Sequence, residues 1–244
     1  MIKLYKNYLF DLDGTLLPMD MKSFIELYMA SVCKRFSPVF GIEPKSLSDA
    51  IWAGTAAMAK NDGDCLNMEV FWRTMNHICG RDMFKYADDF DDYYRNEFIA
   101  AKTATKLNPL TRKCVDLIKQ HGGRMIVATN PIFPKAATYR RIEWAGLDVN
   151  DFEYITTYDN SSACKPNLNY FEEISSICGL RPEESLMIGN DVNEDMIASR
   201  LGFNTYLITD CLINRDNKDL SLYKHGSMQD FYNYLTDIYN NSDI

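Results

Sequence analysis

Two aspartates stand two residues apart, Asp11 and Asp13, where a short apolar run stops in Phe10-Asp11-Leu12-Asp13-Gly14-Thr15-Leu16. A carboxylate can attack phosphorus to give an acyl phosphate, which splits one hard step into two easier ones. A second carboxyl group beside it can protonate the leaving alcohol and later activate water. Further polar groups occupy comparable places: Thr129-Asn130 follows Met125–Ala128, Lys165-Pro166 lies beyond Tyr154–Thr157, and Gly189-Asn190-Asp191 follows Leu186–Ile188. Lys165 offers a point charge suited to a phosphate oxygen or to the nucleophilic carboxylate. Thr129 offers a hydroxyl and Asn130 an amide donor. Such a set suits phosphoryl transfer, where catalysis is mainly positioning and charge stabilisation.

Asp11, Asp13 and Asp191 also repel one another if they converge. A unit-charge pair at 4 Å costs about 4 kcal/mol at an effective dielectric of 20. A divalent cation removes that cost. Oxygen-only ligands, with no His or Cys suitably placed, favour magnesium over zinc.

These residues converge only if the chain folds in a particular way. Tyr8-Leu9-Phe10 is an apolar, β-prone run that reads as a short buried strand, with Gly14 in the turn after it. From about Asp20 to Lys106 the pattern is helical. The stripes are Phe24, Leu27, Tyr28 and Val32, then Ile51, Trp52 and Met58, then Val70, Phe71, Met75 and Ile78 up to Gly80, then Phe90, Tyr93, Tyr94 and Phe98. After Lys106 the pattern alternates. Helices are expected at Thr111–Gln120, Pro134–Trp144, Tyr170–Cys178, Glu194–Leu201 and Met228–Tyr239. Strands are expected at Met125–Ala128, Tyr154–Thr157, Leu186–Ile188 and Tyr206–Ile208. Such βαβ alternation implies an α/β fold with a parallel sheet covered by helices on both faces. Ligands in these sheets bind beyond the carboxyl ends of the strands, which is where all four polar segments fall. The expected division is an α/β core of residues 1–18 and 106–244 and a helical insert of residues 19–105.

Composition narrows the function classes. The 244 residues are 46% hydrophobic and 25% charged, with a net charge of −8, enough for one core or a core with a small satellite. An acidic chain without a concentrated Lys/Arg tract is a poor nucleic-acid binder, although one local cationic site can still hold a small phosphorylated metabolite. No apolar run approaches the roughly 20 residues of a membrane helix, and Met1–Lys6 does not read as a signal peptide. The seven cysteines are scattered without a Cys-x-x-Cys pair, as expected of reduced thiols in a cytoplasmic protein. The three histidines, at 77, 121 and 225, lie outside every strand-end segment and are given no catalytic role. Oligomeric state is not readable.

The four segments together resemble the haloacid dehalogenase-like hydrolase superfamily. Phe10–Leu16 is similar to its first motif, Ile126-Val127-Ala128-Thr129-Asn130 to its second, Lys165-Pro166 to its third, and Met187-Ile188-Gly189-Asn190-Asp191-Val192-Asn193-Glu194-Asp195 to its acidic fourth. They occur in family order from residue 11 to 195. The first is specific alone; the others gain weight only together. The resemblance implies a Rossmann-like three-layer core with an all-helical cap inserted between the first and second motifs, closing over the site and choosing the substrate. It implies a magnesium-dependent phosphoric monoester hydrolase acting on a small phosphate ester. Asp11 would be nucleophile and metal ligand, and Asp13 general acid/base, with its backbone carbonyl on the metal. Thr129 and Asn130 would hold the phosphoryl group, and Lys165 would neutralise charge around Asp11. Asp191 would ligate magnesium, and Asp195 would support the metal shell or orient Lys165. One departure stands out: many members place Asp directly after the motif's glycine, where this chain has Asn190. Asp191 then takes the metal role, with Asn190 as the alternative.

A sugar-phosphate phosphomutase would use the same aspartate and differ in protecting its aspartyl-phosphate from water. A non-catalytic protein retaining the fold would be expected to lose one of the five groups. Carbon–halogen hydrolysis needs neither a magnesium site nor a second acid two residues after the nucleophile. Lys60-Asn61-Asp62-Gly63 reads as an interhelical turn, a hinge or a substrate-facing loop. Met19 and Asp20 stand near enough in sequence to border the site.

Overall fold

The computed structural model describes residues 4–241. The first three and last three residues of the expected core, and with them part of the Met1–Lys6 segment, lie outside the described residues. Six strands form one parallel sheet: β1 Asn7–Phe10, β2 Arg124–Val127, β3 Tyr154–Ile155, β4 Ser185–Gly189, β5 Asn204–Ile208 and β6 His225–Gly226, in the order β3-β2-β1-β4-β5-β6. The first strand is central because its residues Tyr8, Leu9 and Phe10 are fully buried on both faces, as a helix-covered parallel strand demands. Side chains alternate between faces along a strand. Accordingly Tyr8, Phe10, Met125, Val127, Leu186 and Ile188 join the core on one face, and Leu9, Ile126 and Met187 that on the other. Helices α5 (Pro109–Gln120) and α8 (Met228–Asn240) bury Val115, Ile118, Phe231 and Leu235 in the first core, and α7 (Leu168–Cys178) buries Phe171 and Ile174 in the second. Helix α6 spans Lys135–Trp144.

Between Met21 and Ala104 every described element is helical: α1 (Met21–Phe40), α2 (Pro44–Met58), α3 (Asn67–Cys79), a 3-10 turn at Phe84–Tyr86, α4 (Ala87–Asn96) and a 3-10 run over Phe98–Ala104. The insert leaves and rejoins the core through two paired segments. Asp20 N–H donates to the Ala104 carbonyl at 2.9 Å and Lys106 N–H to the Pro18 carbonyl at 2.8 Å. Its interior is a stack of rings, with Phe36 and Phe90 parallel at 4.1 Å. No helix of the described residues is long and apolar enough to cross a membrane.

The elements differ from the expected ones in instructive places. Phe98, expected in the fourth helical stripe, starts the 3-10 run after α4 instead. Glu194–Leu201, expected as an α-helix, is a 3-10 segment over Met196–Leu201, whose N–H groups reach back three residues, as Ala198 N to Asp195 O does. The edge strand β6 has two residues and no apolar run, so it leaves no period to read. Leu27 and Ile78 from the expected stripes are exposed.

Candidate active site

The turn after β1 is closed tightly: Leu17 N–H donates to the Leu12 carbonyl at 2.8 Å and Gly14 N–H to the Leu17 carbonyl at 2.8 Å. Gly14 is required there twice over. Its φ is +86°, and a Cβ would lie 2.4 Å from Asn190 Nδ2. This turn sets Asp11 on the floor of a cavity of about 290 Å³, which Asp13, Thr129, Asn130, Lys165, Asn190, Asp191, Glu194 and Asp195 also border. The topology therefore gathers every polar residue singled out in the four strand-end segments, because β1, β2 and β4 are neighbours and all end at the same edge.

Lys165 Nζ donates to Asp11 Oδ1 at 2.8 Å and to Asp195 Oδ1 at 2.6 Å, all three groups being buried. Burial alone pulls the ammonium down, but Asp11 and Asp195 prevail and hold it well above the usual lysine value. Asp11 goes the other way. Burial pushes its carboxyl up to about 7, with Lys165 opposing and Asp195 reinforcing the rise. Its second oxygen accepts only a long 3.3 Å bond from Thr15, whose hydroxyl is shared with Asn190 Oδ1 at 3.1 Å.

Of the two tasks left open for Asp195, the structure gives it Lys165, and its other oxygen accepts the Asp191 N–H at 2.9 Å. Gly189 makes room for this. A Cβ there would lie 2.1 Å from Asp195 Oδ2. Gly189→Ala is expected to displace Asp195, loosen Lys165 and destabilise the fold by about 1–3 kcal/mol. Wild-type melting and wild-type activity in that variant would refute this packing argument.

Asp191 faces the same cavity with both oxygens engaged. Oδ1 accepts the N–H groups of Asn193 at 2.8 Å and Glu194 at 3.0 Å, and Oδ2 accepts Arg215 Nη1 at 2.8 Å. Asn190 packs on the first turn, its amide nitrogen donating to the Cys211 carbonyl at 2.6 Å. Asn130 spends its amide N–H groups on Glu194 Oε2 (3.0 Å) and the Lys165 carbonyl (3.3 Å), which leaves its oxygen buried without a donor. Thr129 is held by its backbone carbonyl, which accepts from Tyr170 and Thr156.

Two residues of the site, Arg141 and Arg215, carry no sequence signal of their own. Arg141, 1% exposed, pairs with Asp13 Oδ2 and lies 4.4 Å over the Phe133 ring. It comes from the middle of α6, not from a strand end. Arg215 follows β5, and Glu194, part of the fourth motif, is pushed up by burial. Asp13 Oδ1 is buried without a partner. Met19 and Asp20 do not border the cavity; Asp20 instead caps α1 through Ser23 N–H at 2.7 Å. The Lys60–Gly63 turn is also off the cavity. Asn61 donates to Asn67 Oδ1 at 2.8 Å, and the Asp62 carbonyl accepts from Asn169 at 3.1 Å, so the turn docks on the core.

No group of three His, Cys, Asp or Glu side chains among the described residues is arranged to hold a metal by itself. The donors expected from the sequence are two carboxylates and a backbone carbonyl, and the charge balance fits a cation. Five carboxylates border the cavity against Lys165, Arg215 and the Arg141 behind Asp13. Burial raises Asp11 and Glu194, and the neighbouring carboxylates add to the rise against Lys165.

Residues 5–201 match the family model of haloacid dehalogenase-like hydrolases. The chain belongs to that family. A curated relative, a glyceraldehyde 3-phosphate phosphatase of Methanothermobacter thermautotrophicus, is 33% identical over 99 residues, which is 40% of this chain and 42% of that protein. The match thus spans less than half of the relative's length. Solved structures share the fold across nearly the whole chain. A HAD phosphatase from Thermococcus onnurineus is 20% identical with a TM-score of 0.58, covering 94% of this chain and 97% of that one. A Bacillus subtilis structure described as a HAD-hydrolase bound to magnesium is 18% identical, also with a TM-score of 0.58, and covers 96% and 100%. This haloacid dehalogenase-like hydrolase therefore has the parallel core and helical insert that its motif order implied.

Proposed function

We propose that the chain is a magnesium-dependent phosphatase that hydrolyses a small phosphate monoester through an aspartyl-phosphate on Asp11. The observation that carries this reading is the Asp11 carboxylate on the cavity floor, with Lys165 2.8 Å from one oxygen and the other oxygen held only loosely. The free side of Asp11 attacks phosphorus and the bond to the ester oxygen breaks. Asp13 gives that oxygen a proton. Arg141 fixes Asp13 Oδ2 and so orients the carboxyl group. Water then attacks the aspartyl-phosphate, Asp13 takes the proton back, and phosphate leaves. Thr129 and the ammonium of Lys165 steady the phosphoryl oxygens. Magnesium would be held by Asp11, the Asp13 carbonyl and Asp191, and it would neutralise charge on the transferring group. For Asp191 this requires sharing or releasing Arg215, which is 59% exposed and has Glu194 as a second carboxylate partner at 3.9 Å. The relative named a phosphatase and the magnesium-bound neighbour support the same reading. The seven unpaired cysteines fit a cytoplasmic setting.

Magnesium-dependent release of phosphate from a generic aryl phosphate tests the reaction; a folded sample that releases none with any divalent ion sinks it. A second test reads the metal without activity. In the metal-free protein Asp11 holds its proton up to about 7, against an ordinary value of 3.8. Its contribution to stability is present in full below the ordinary value and is lost as pH rises through about 7. Magnesium binds the ionised carboxylate, so the gain in Tm from millimolar magnesium should be larger at pH 8 than at pH 6. An equal gain at both pH values, or none, counts against a metal on Asp11.

A further inference from the structure

The cavity above Asp11 has two chemically different ends. The cations that border it, Lys165 and Arg215, stand at the core end, and both already hold carboxylates. Across from them the insert contributes Phe24, Ile25, Ile51, Trp52, Phe71 and their neighbours, and no charged side chain among the described residues. Most of the insert's polar atoms at this wall are satisfied locally; the Trp72 indole N–H is buried without a partner. The Tyr28 and Tyr94 phenols bond each other at 2.8 Å, and the Thr55 hydroxyl donates to the Ile51 carbonyl at 3.0 Å. Trp52 borders the cavity while 46% exposed, so part of its indole is open to a ligand in the cavity.

We propose that the substrate is the phosphate ester of an uncharged, apolar alcohol of about the size of one aromatic ring, with the ring seated against the insert and the phosphoryl group on Asp11. This rests on the phosphatase reading. A ring in that place gains burial against Trp52, Phe24 and Phe71. A carboxylate or second phosphate there would face rings without a cation, and burying an unpaired charge is costly. A polyol would give up the water on several hydroxyls and find one free donor at this wall, the Trp72 indole N–H. A volume of about 290 Å³ stands at the small end of ligand pockets, which suits one ring and a phosphoryl group.

The test compares esters of matched primary alcohols, so that leaving-group chemistry differs little: 2-phenylethyl phosphate, glycerol 1-phosphate and phosphoglycolate, each with magnesium. We expect kcat/KM for 2-phenylethyl phosphate to exceed the other two by about tenfold to a hundredfold. Thr55→Lys, which puts an ammonium in the apolar end, should shrink that preference over phosphoglycolate by about tenfold. Equal or faster turnover of glycerol 1-phosphate or phosphoglycolate by the wild type overturns the apolar-alcohol proposal and leaves the phosphatase reading standing. Hydrolysis of p-nitrophenyl phosphate without any of the three alkyl esters also overturns it alone. Hydrolysis of none of the four overturns the phosphatase reading and this proposal with it.

Discussion

Asp11→Asn is expected to lower turnover by at least about a thousandfold while the protein folds as before. The amide cannot attack phosphorus, and no other carboxylate replaces it. Asp13 is turned to Arg141, Asp195 is saturated by Lys165 and the Asp191 N–H, and Asp191 is held by Arg215 and two backbone N–H groups. The fold should survive because Lys165 keeps Asp195 as counter-ion. The substitution also removes a buried carboxyl that is costly to ionise, so at pH 8 the metal-free variant should melt no lower than wild type. The pH-dependent gain from magnesium should shrink with it. Steady-state phosphate release alongside thermal melting reads both quantities. Substantial turnover in a melting-competent Asp11→Asn sample excludes the covalent mechanism.

Asp13→Asn should fail for two separable reasons. Loss of the acid/base group lowers the rate by about 10²–10⁴-fold, and the second step, lacking a base, should accumulate phosphoenzyme. The substitution also leaves Arg141 buried without its carboxylate, and breaking a buried pair from one side costs about 3 kcal/mol or more. The pairing of Asp13 with Arg141 thus makes this variant a stability mutant as well as a catalytic one. Arg141→Met in the Asp13→Asn background removes the stranded charge and should return most of the lost stability while activity stays low. A double-mutant cycle on melting separates the pair from the chemistry. If the double variant is no more stable than Asp13→Asn, Arg141 was not held by Asp13. If Asp13→Asn turns over normally, Asp13 is not the acid.

Much of the fold was legible because the signals were local. The apolar runs ending at Asp11, Thr129 and Gly189 are short strands buried on both faces, and a carboxyl, hydroxyl or amide just beyond such a strand points to the open edge of a parallel sheet. The helical insert was readable from its stripes, although Leu27 and Ile78 turned outward. Trp52 counted as ordinary packing in the second stripe, yet it borders the cavity half exposed. A stripe tells which face is apolar, not whether the apolar face meets another helix or a ligand. The α-helix expected over Glu194–Leu201 failed for a related reason: propensity does not record that Asp195 must lie against Gly189 and under Lys165.

The sequence alone determined the family, the order of the strand-end motifs and which polar groups meet at the sheet edge, because each of those is carried by a few adjacent residues. Only the tertiary structure decided what those groups pair with. Lys165 is shared between Asp11 and Asp195 across separations of 154 and 30 residues, Arg141 reaches Asp13 across 128, and Arg215 reaches Asp191 across 24. The insert's rings close over a site whose charged residues all come from the core and none from the insert. Pairings of that kind depend on where distant elements are packed, and no local pattern of residue types encodes the distance between a helix centre and a strand end.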